Sequence, residues 1–238
     1  YRRALEAGAD IIVKLDGDGQ MDPKLIPALI KPLLAGEADY AKGNRFRDLD
    51  GLSAMPPVRL IGNLVLSFAS KVSSGYWDLF DPTNGFTAIH AKIVRALPLA
   101  KISRSFFFES DMLFRLYLLR AVVTDVPMRA RYSGEQSTLR IAQVIGEFAL
   151  KHHGNAIKRI LFTYFLRDFS AASVELVLGL LLLLFGTGFG LWQWNSSIAS
   201  GVPATAGTVI LAALPVILGF QLLLAFLHFD IGNVPRRT

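Results

Sequence analysis

The sequence predicts an α/β domain followed by amphipathic helices and a two-helix transmembrane hairpin. Three observations predict this order: strand-like and helical apolar patterns alternate over residues 1–137, a basic helical pattern occupies residues 138–169, and residues 170–238 are nearly free of charge until their end. The chain is 52% hydrophobic and 18% charged, whereas an average soluble chain carries about 25% charged residues. Part of its apolar surface is therefore expected to face something other than water.

Composition also excludes several classes of function. The 238 residues include no cysteine, which excludes a disulfide scaffold, a zinc–thiolate site and a thiol nucleophile. A net charge of +6 accompanies a positive mean hydropathy of +0.41. This pairing argues against disorder and, unless the basic groups cluster on a soluble face, against a nucleic-acid partner. Residues 1–4 read as the middle of a helix, so we expect a piece of a longer protein.

The α/β part is built from short segments. Residues 3–9 end a helix, and residues 11–15 form a mostly apolar run that is typical of a strand buried in a parallel sheet. Asp22-Pro23 is a helix-start signal, and residues 40–44 form a second strand pattern. In α/β domains ligands collect beyond the carboxyl ends of strands, so functional residues are expected directly after these runs.

Two apolar runs, residues 171–191 and 206–226, reach the ~20 residues needed to cross a bilayer. Glu175 is the only formally charged residue between positions 170 and 229. Basic residues flank the pair but are absent from the loop at 192–205; they are Lys151, Lys158, Arg159, Arg167, Arg236 and Arg237. By the positive-inside rule we expect both termini and the α/β domain to be cytoplasmic, in an integral protein of the cell or inner membrane. The alternative is a pair of buried core helices, which rarely run this long without polar residues.

Two further patterns accompany the hairpin. Gly186-x-x-x-Gly190 fits a close helix crossing, which leaves a homo-oligomer through the transmembrane helices as one partner hypothesis. Residues 138–169 combine helical apolar spacing with basic residues, and Gly154-Asn155 is expected to divide them into two helices. Such helices either lie in the headgroup plane or pack against the α/β domain, and the sequence favours neither.

Asp16-Gly17-Asp18-Gly19-Gln20 follows the first strand pattern. Two carboxylates on alternate residues are too costly to desolvate without a cation, and Mg²⁺ or Mn²⁺ would relieve their repulsion while leaving room for substrate phosphates. Gln20 would add a neutral oxygen ligand or hold a metal-bound water. The alternative is a polar turn, because Asp and Gly are common turn residues. The spacing does not match an EF-hand loop.

Four further motifs follow along the chain. They are Lys42-Gly43-Asn44-Arg45, Asp81-Pro82-Thr83-Asn84-Gly85-Phe86, Phe108-Glu109-Ser110-Asp111-Met112-Leu113, and Val126-Pro127-Met128 with Arg131, Gly134 and Ser137. Together with residues 16–20 they resemble family 2 glycosyltransferases of the GT-A fold, and within these the polyprenyl-phosphate group that includes dolichol-phosphate mannose synthase. The first strands of that family, which grip the nucleotide base, are absent, and Asn44 replaces the usual serine. A Gln-x-x-Arg-Trp motif, typical of processive synthases, does not occur.

The resemblance implies a membrane-anchored, inverting hexosyltransferase that moves a sugar from a nucleotide-diphosphate sugar to a polyprenyl phosphate. It assigns Asp16, Asp18 and Gln20 to the metal, Mg²⁺ or Mn²⁺. It assigns Asp81 and Glu109 to catalysis. The residues that it assigns to binding the donor or acceptor phosphate are Arg45, Arg59, Asn63 and Arg131.

Structural roles compete with several of these assignments. Asp81 would also cap a turn, Glu109 would also complement a helix dipole, and Arg59 would also snorkel at a membrane edge. At the level of the whole chain, the alternatives are a processive polysaccharide synthase and a non-catalytic membrane scaffold with a degenerate transferase domain.

Overall fold

The computed structural model describes residues 1–17, 19, 21–47, 57–128 and 141–237. Three residues predicted for the site, Asp18, Gln20 and Arg131, lie outside this description, and for Arg59 it covers the backbone alone. The chain forms two compact units, one of residues 1–159 with 234–238 and one of residues 160–233.

The first unit alternates helices and strands, as predicted. Its helices are α1 (Arg2–Glu6), α2 (Ile26–Leu34), α3 (Pro57–Ser74), α4 (Ala91–Ala96), α5 (Phe108–Leu118) and most of α6 (Ile141–Leu161). Its strands are β1 (Ile11–Lys14), β2 (Tyr40–Asn44), β3 (Thr87–His90) and β4 (Val123–Pro127). Asp22 accepts a hydrogen bond from the backbone N–H of Lys24 at 3.0 Å and caps the 3₁₀ turn that leads into α2.

The four described strands form one mixed sheet in the order β1-β3-β2-β4. β3 is antiparallel to both β1 and β2, whereas β2 and β4 are parallel and pair Lys42 with Asp125. The prediction of an α/β fold is confirmed, but the prediction of a parallel environment for residues 11–15 is wrong. An apolar run indicates that a strand is covered on both faces, but a strand covered in this way can pair with its neighbours in either the parallel or the antiparallel direction.

Two apolar clusters hold the sheet. One joins Ile89 of β3 and Val123 of β4 to the buried side of α5, including Met112 and Leu116. The other packs α2 through Leu29 and Leu33 against the opposite part of the sheet. β1 ends at Lys14 and β2 ends at Asn44, and the apolar clusters that pack on these strands hold both ends in place.

α6 is continuous, so the predicted break at Gly154-Asn155 is wrong. Glycine costs a helix about 0.8–1.0 kcal/mol relative to alanine, a penalty that tertiary contacts outweigh. The Nδ2 of Asn155 donates to Asp111 Oδ1 at 3.2 Å, and Nδ1 of His152 lies 2.7 Å from the Ser73 hydroxyl. Arg159 is buried and donates to the Val72 carbonyl at 2.9 Å. These three contacts hold α6 against α3 and α5 on both sides of the glycine.

The second unit contains a π-helix (Phe162–Arg167), α7 (Ala171–Ser200) and α8 (Ala206–Gly232). Both long helices are long and apolar enough to span a membrane. Both helices are longer than the predicted runs, and α7 ends at Gly201, whose φ of 67° is left-handed. The helices approach closely at Gly186, where an added Cβ would lie 2.7 Å from the Ala212 carbonyl oxygen, and at Gly219, where it would lie 2.8 Å from the Gly179 carbonyl oxygen.

Candidate active site

Two polar clusters lie at the ends of β1 and β2 and in the loop that precedes β3. The first, here called the carboxylate cluster, joins the end of β1 to α5 and consists of Lys14, Asp16, Gly85 and Glu109. The second, here called the arginine cluster, joins the end of β2 to the loop before β3 and to β4, and consists of Lys42, Asn44, Arg45, Asp81, Asn84 and Asp125.

Lys14 is the centre of the carboxylate cluster. Its ammonium donates to Asp16 Oδ1 at 2.8 Å and to Glu109 Oε1 at 2.9 Å. Burial by itself lowers the pKa of Lys14, but the hydrogen bonds and attraction from the two carboxylates outweigh burial and raise the pKa. Lys14 is therefore a permanent cation that draws together two residues predicted from separate motifs.

The Asp16 carboxylate also explains why glycine occupies position 85. A Cβ added at Gly85 would lie 2.7 Å from Asp16 Cγ, so any side chain there would displace the carboxylate. Gly85 belongs to the motif at residues 81–86, and Asp16 belongs to the motif at residues 16–20. The backbone of one motif thus forms the wall against which the carboxylate of the other rests.

The carboxylate cluster has the donor chemistry that Mg²⁺ and Mn²⁺ prefer. Oxygens of Asp16 and Glu109 converge on the Lys14 ammonium, and the Asp16 side chain remains 43% exposed toward solvent, so that hard carboxylate oxygen is accessible there. Among the described residues there is no group of three or more His, Cys, Asp or Glu side chains that could hold a metal ion. The exposed Asp16 carboxylate is the kind of group that would hold such a metal together with substrate phosphate and water as further ligands.

The core of the arginine cluster is a bidentate pair. Arg45 donates from Nε to Asp81 Oδ2 at 2.7 Å and from Nη2 to Oδ1 at 2.6 Å, and its backbone N–H reaches Oδ2 at 3.2 Å. Asp81 is only 1% exposed. Burial alone raises the pKa of this carboxyl, but the hydrogen bonds and charge of Arg45, with the charge of Lys42, lower it overall. Asp81 is therefore an ionised acceptor that orients Arg45.

The turn that carries Asp81 is strained and is held by a buried lysine. Asp81 has a left-handed φ of 55°, which costs a non-glycine residue roughly 1–3 kcal/mol. Lys42, 1% exposed, donates to the Phe80 carbonyl at 3.1 Å and also to the Asp81 carbonyl. Burial lowers the pKa of Lys42, although Asp81 and Asp125 act in the opposite direction. The lysine closes the turn by binding two consecutive carbonyls.

Two amides connect the turn to β2 and β4. Asn84 Nδ2 donates to the Gly43 carbonyl at 2.8 Å and to Asp81 Oδ2 at 3.2 Å. Asn44 Nδ2 donates to Asp125 Oδ2 at 2.7 Å, and the Phe80 N–H donates to the same oxygen at 2.9 Å. Burial raises the pKa of Asp125, and its buried Oδ1 has no hydrogen-bond partner within the described part of the chain.

The structure thus brings together some predicted site residues and not others. Asp16 meets Glu109 through Lys14, and Arg45 meets Asp81 directly. Glu109 also occupies the first turn of α5, where an acidic residue complements the helix dipole. Asn63 is half-buried on α3, in the helix whose first turn includes residue 59.

Sequence reasoning missed Lys14, Lys42 and Asp125 as site residues. Alternate residues of a strand share a face, so Lys14 follows the same side as Asp16, and Lys42 the same side as Asn44. A lysine two positions before a polar motif, inside an otherwise apolar strand, was the available signal. No local pattern indicated Asp125, because its place beside Lys42 follows from the pairing of β2 with β4.

Residues 4–97 match the protein family described as Glycosyl transferase family 2. This segment is a family 2 glycosyltransferase domain. The match includes Asp16, Arg45, Asp81 and Gly85, and so it covers most of both clusters. The resemblance identified from the motifs is confirmed.

Three proteins are similar in sequence to this chain. A UDP-N-acetylglucosamine–dolichyl-phosphate N-acetylglucosaminyltransferase of Methanococcus voltae is 28% identical over 63% of this chain and 59% of its own length. An uncharacterized protein of Methanocaldococcus jannaschii is 29% identical over 59% of this chain and 57% of its own length. An undecaprenyl-phosphate mannosyltransferase of Micrococcus luteus is 30% identical over 54% of this chain and 52% of its own length. The chain therefore spans little more than half the length of these relatives.

Proposed function

We propose that this chain is the sugar-transferring part of a membrane-anchored glycosyltransferase that uses a nucleotide-diphosphate sugar as donor and a polyprenyl phosphate as acceptor. The observation that carries the proposal is the Arg45–Asp81 pair, a guanidinium held in one orientation inside a family 2 domain. The names of two relatives, one a dolichyl-phosphate and the other an undecaprenyl-phosphate sugar transferase, support this acceptor class.

A phosphate acceptor needs no strong base in the site. A phosphate monoester has its second pKa near ~6, so its oxygen is already a nucleophile at neutral pH. Asp81 is ionised, buried and bound to Arg45, which suits it to positioning rather than to taking up a proton. The Nε–Nη2 edge of Arg45 is bound to Asp81, so an acceptor phosphate would be met by the Nη1–Nη2 edge of the same planar guanidinium, which can also donate two hydrogen bonds at once.

The donor diphosphate belongs at the carboxylate cluster. The solvent-exposed side of Asp16 would hold Mg²⁺ or Mn²⁺ there, and a bound metal would neutralise charge on the leaving diphosphate. Lys14 keeps the two carboxylates together and reduces their mutual repulsion. In the transfer, an acceptor phosphate oxygen bonds to the anomeric carbon while the bond from that carbon to the diphosphate oxygen breaks. One displacement of this kind inverts the anomeric configuration and releases a nucleoside diphosphate.

The membrane segment supplies the reason for a lipid acceptor. Moving a polyprenyl chain out of a bilayer costs about 0.8 kcal/mol per CH₂ group, so the enzyme has to meet the acceptor phosphate at the membrane surface. α7 and α8 suggest membrane association. The positive-inside pattern supports a cytoplasmic face for the domain, because the basic residues flank the two runs and avoid the loop between them.

A transfer assay on the full-length protein tests the proposal. The protein is reconstituted in nanodiscs with undecaprenyl or dolichyl phosphate and given labelled nucleotide sugars with Mg²⁺ or Mn²⁺. We expect label in an organic-soluble product for at least one sugar, and none with Asp16→Asn. Label found only in polymer would indicate a processive synthase. The absence of metal-dependent transfer across the panel would contradict the proposal.

A further inference from the structure

The outward face of α3 is apolar although its inward face is polar, the reverse of an ordinary surface helix. Ile61, Leu64, Val65 and Phe68 are 61%, 49%, 62% and 63% exposed. Their spacing, i, i+3, i+4 and i+7, places them along one side of the helix. We call these four residues the α3 face.

Serines occupy the opposite side. Ser67, Ser70, Ser73 and Ser74 are each buried. Ser73 and Ser74 donate back to the Ser70 carbonyl at 3.2 and 2.6 Å, and Ser73 also meets His152 of α6 at 2.7 Å. The small side chains allow α3 to sit close to its neighbours within the first unit. The helix is therefore fixed with its large apolar side chains turned outward.

The carboxyl-terminal end of the α3 face carries residues that suit a lipid–water boundary. Trp77 packs edge-to-face on Phe68, with ring centroids 6.3 Å apart. The Lys71 ammonium lies 4.0 Å from the ring centroid of Phe80, which is itself exposed. Indole rings and lysines with buried stems are favoured where one end of a side chain is apolar and the other is wet. On the neighbouring α6, Lys158 is exposed and adds positive charge that anionic headgroups would attract.

A contiguous apolar patch on a folded surface marks a contact with lipid or protein. Here the chain itself contains two helices long and apolar enough to span a membrane, and insertion of these helices would tether the domain to a bilayer. We propose that the α3 face is a membrane-contact surface, seated among lipid headgroups and upper acyl chains.

Phe80 connects the α3 face to the arginine cluster, and the role given to this connection below rests on the proposed function. Phe80 lies under Lys71 of α3 and directly precedes Asp81, and its N–H is held by Asp125 of the arginine cluster. Seating the α3 face in lipid would bring the arginine cluster to the depth of an acceptor phosphate. Lipid contact by α3 and phosphate binding by Arg45 would then be parts of one surface.

Site-directed labelling tests the contact without requiring turnover. Because the chain has no cysteine, Leu64→Cys and Phe68→Cys each add one attachment point for a polarity-sensitive fluorophore, and any cysteine elsewhere in the full-length protein is first replaced by serine. Leu34→Cys on α2, 70% exposed, is the matched control. Each labelled full-length protein is placed in nanodiscs of anionic lipid, with spin-labelled quencher lipids and without nucleotide sugar or polyprenyl phosphate.

The expected result is a blue-shifted emission at positions 64 and 68, with loss of most of the fluorescence when quencher lipids are present. An interfacial helix buries its apolar face by about 5–10 Å, so lipids labelled near the headgroup should quench more strongly than lipids labelled near the chain end. Position 34 should show water-like emission and little quenching.

Three results would overturn the proposal. The first is water-like emission at both α3 positions. The second is quenching that begins only when polyprenyl phosphate is added, which would make the α3 face a groove for the acceptor chain. The third is protection that rises with protein density in the membrane, which would indicate a second copy. Because the experiment does not measure sugar transfer, its fluorescence results can be interpreted even if the proposed function is wrong.

Discussion

The two clusters of the candidate site differ in how firmly the fold holds them. The arginine cluster is buried and interlocked, since Asp81 is bound by Arg45 and Asn84 while Lys42 fixes the turn that carries it. The carboxylate cluster is more open, and one lysine joins Asp16 to Glu109. Under the proposed function, the firmly held arginine cluster would bind the acceptor phosphate, and the more open carboxylate cluster would hold the metal and admit and release a charged donor.

The largest expected effect separates the clusters by stability. Asp81→Asn leaves the Arg45 guanidinium without its anionic partner, and breaking a buried ion pair costs about 3–5 kcal/mol. We expect the thermal unfolding midpoint to fall and sugar transfer to drop by at least about 100-fold, as when a group that stabilises charge is removed. Differential scanning fluorimetry and the nanodisc transfer assay measure the two effects. An Asp81→Asn protein with unchanged melting and transfer would contradict the assigned role.

Asp16→Asn should affect activity but not stability. The side chain is 43% exposed, and surface substitutions usually change stability by less than about 0.5 kcal/mol. We expect transfer to fall by about 100-fold or more, because the carboxylate would no longer hold the metal. Titrating Mn²⁺ while following transfer and melting checks both parts. A melting change as large as that of Asp81→Asn would remove the distinction between the clusters.

Gly85→Ala should give a smaller effect confined to the carboxylate cluster. The new Cβ would lie 2.7 Å from Asp16 Cγ, so the carboxylate has to move. A displacement of about 1 Å can cost up to about 100-fold in rate, and we expect about a 10-fold loss since Asp16 is free to rotate toward solvent. Gly17→Ala, whose added Cβ would meet nothing within 4 Å, is the control. Equal losses in the two variants would contradict the steric explanation.

The smallest expected effect is a pair of opposite pH dependences within the arginine cluster. The pKa of Asp81 is lowered from its ordinary 3.8, so its ionised form contributes stability above 3.8 that is lost as pH falls through the lower folded-state value. The pKa of Asp125 is raised from 3.8, so its protonated form contributes stability below 3.8 that is lost as pH rises through the higher folded-state value.

Melting curves of three proteins across the acid range test these signs. Relative to the wild type, Asp81→Asn should flatten the loss of stability toward low pH, and Asp125→Asn should flatten the loss on rising above the ordinary pKa. The same slope change in both variants would show that burial and pairing do not act on the two carboxyls as described.

The sequence predicts some parts of this comparison well because they are local. Asp16 follows an apolar strand and Asp22 precedes a helix, and both positions depend on neighbouring residues alone. The transmembrane candidates are equally readable, since length and apolar composition define them. The motif order identifies the family before any contact is known.

Other parts depend on tertiary pairing and could not be predicted locally. Strand β3 enters between β1 and β2 in the opposite direction, which the apolar run at 11–15 does not record. Asp125 reaches the arginine cluster only through the register of β4 on β2. The continuity of α6 depends on contacts such as that of Asn155 with Asp111, which outweigh the helix-breaking tendency of Gly154.

Binding of the acceptor phosphate to Arg45 is the central claim, and a comparison of two lipids tests it most directly. Full-length wild-type and Arg45→Met proteins in nanodiscs are titrated with undecaprenyl phosphate and with undecaprenol, which lacks the phosphate. The account predicts that the wild type prefers the phosphorylated lipid by about 10-fold or more, as expected for a charge-assisted hydrogen-bonded contact, and that Arg45→Met loses most of this preference while remaining folded. Retention of the full preference by Arg45→Met would contradict the account.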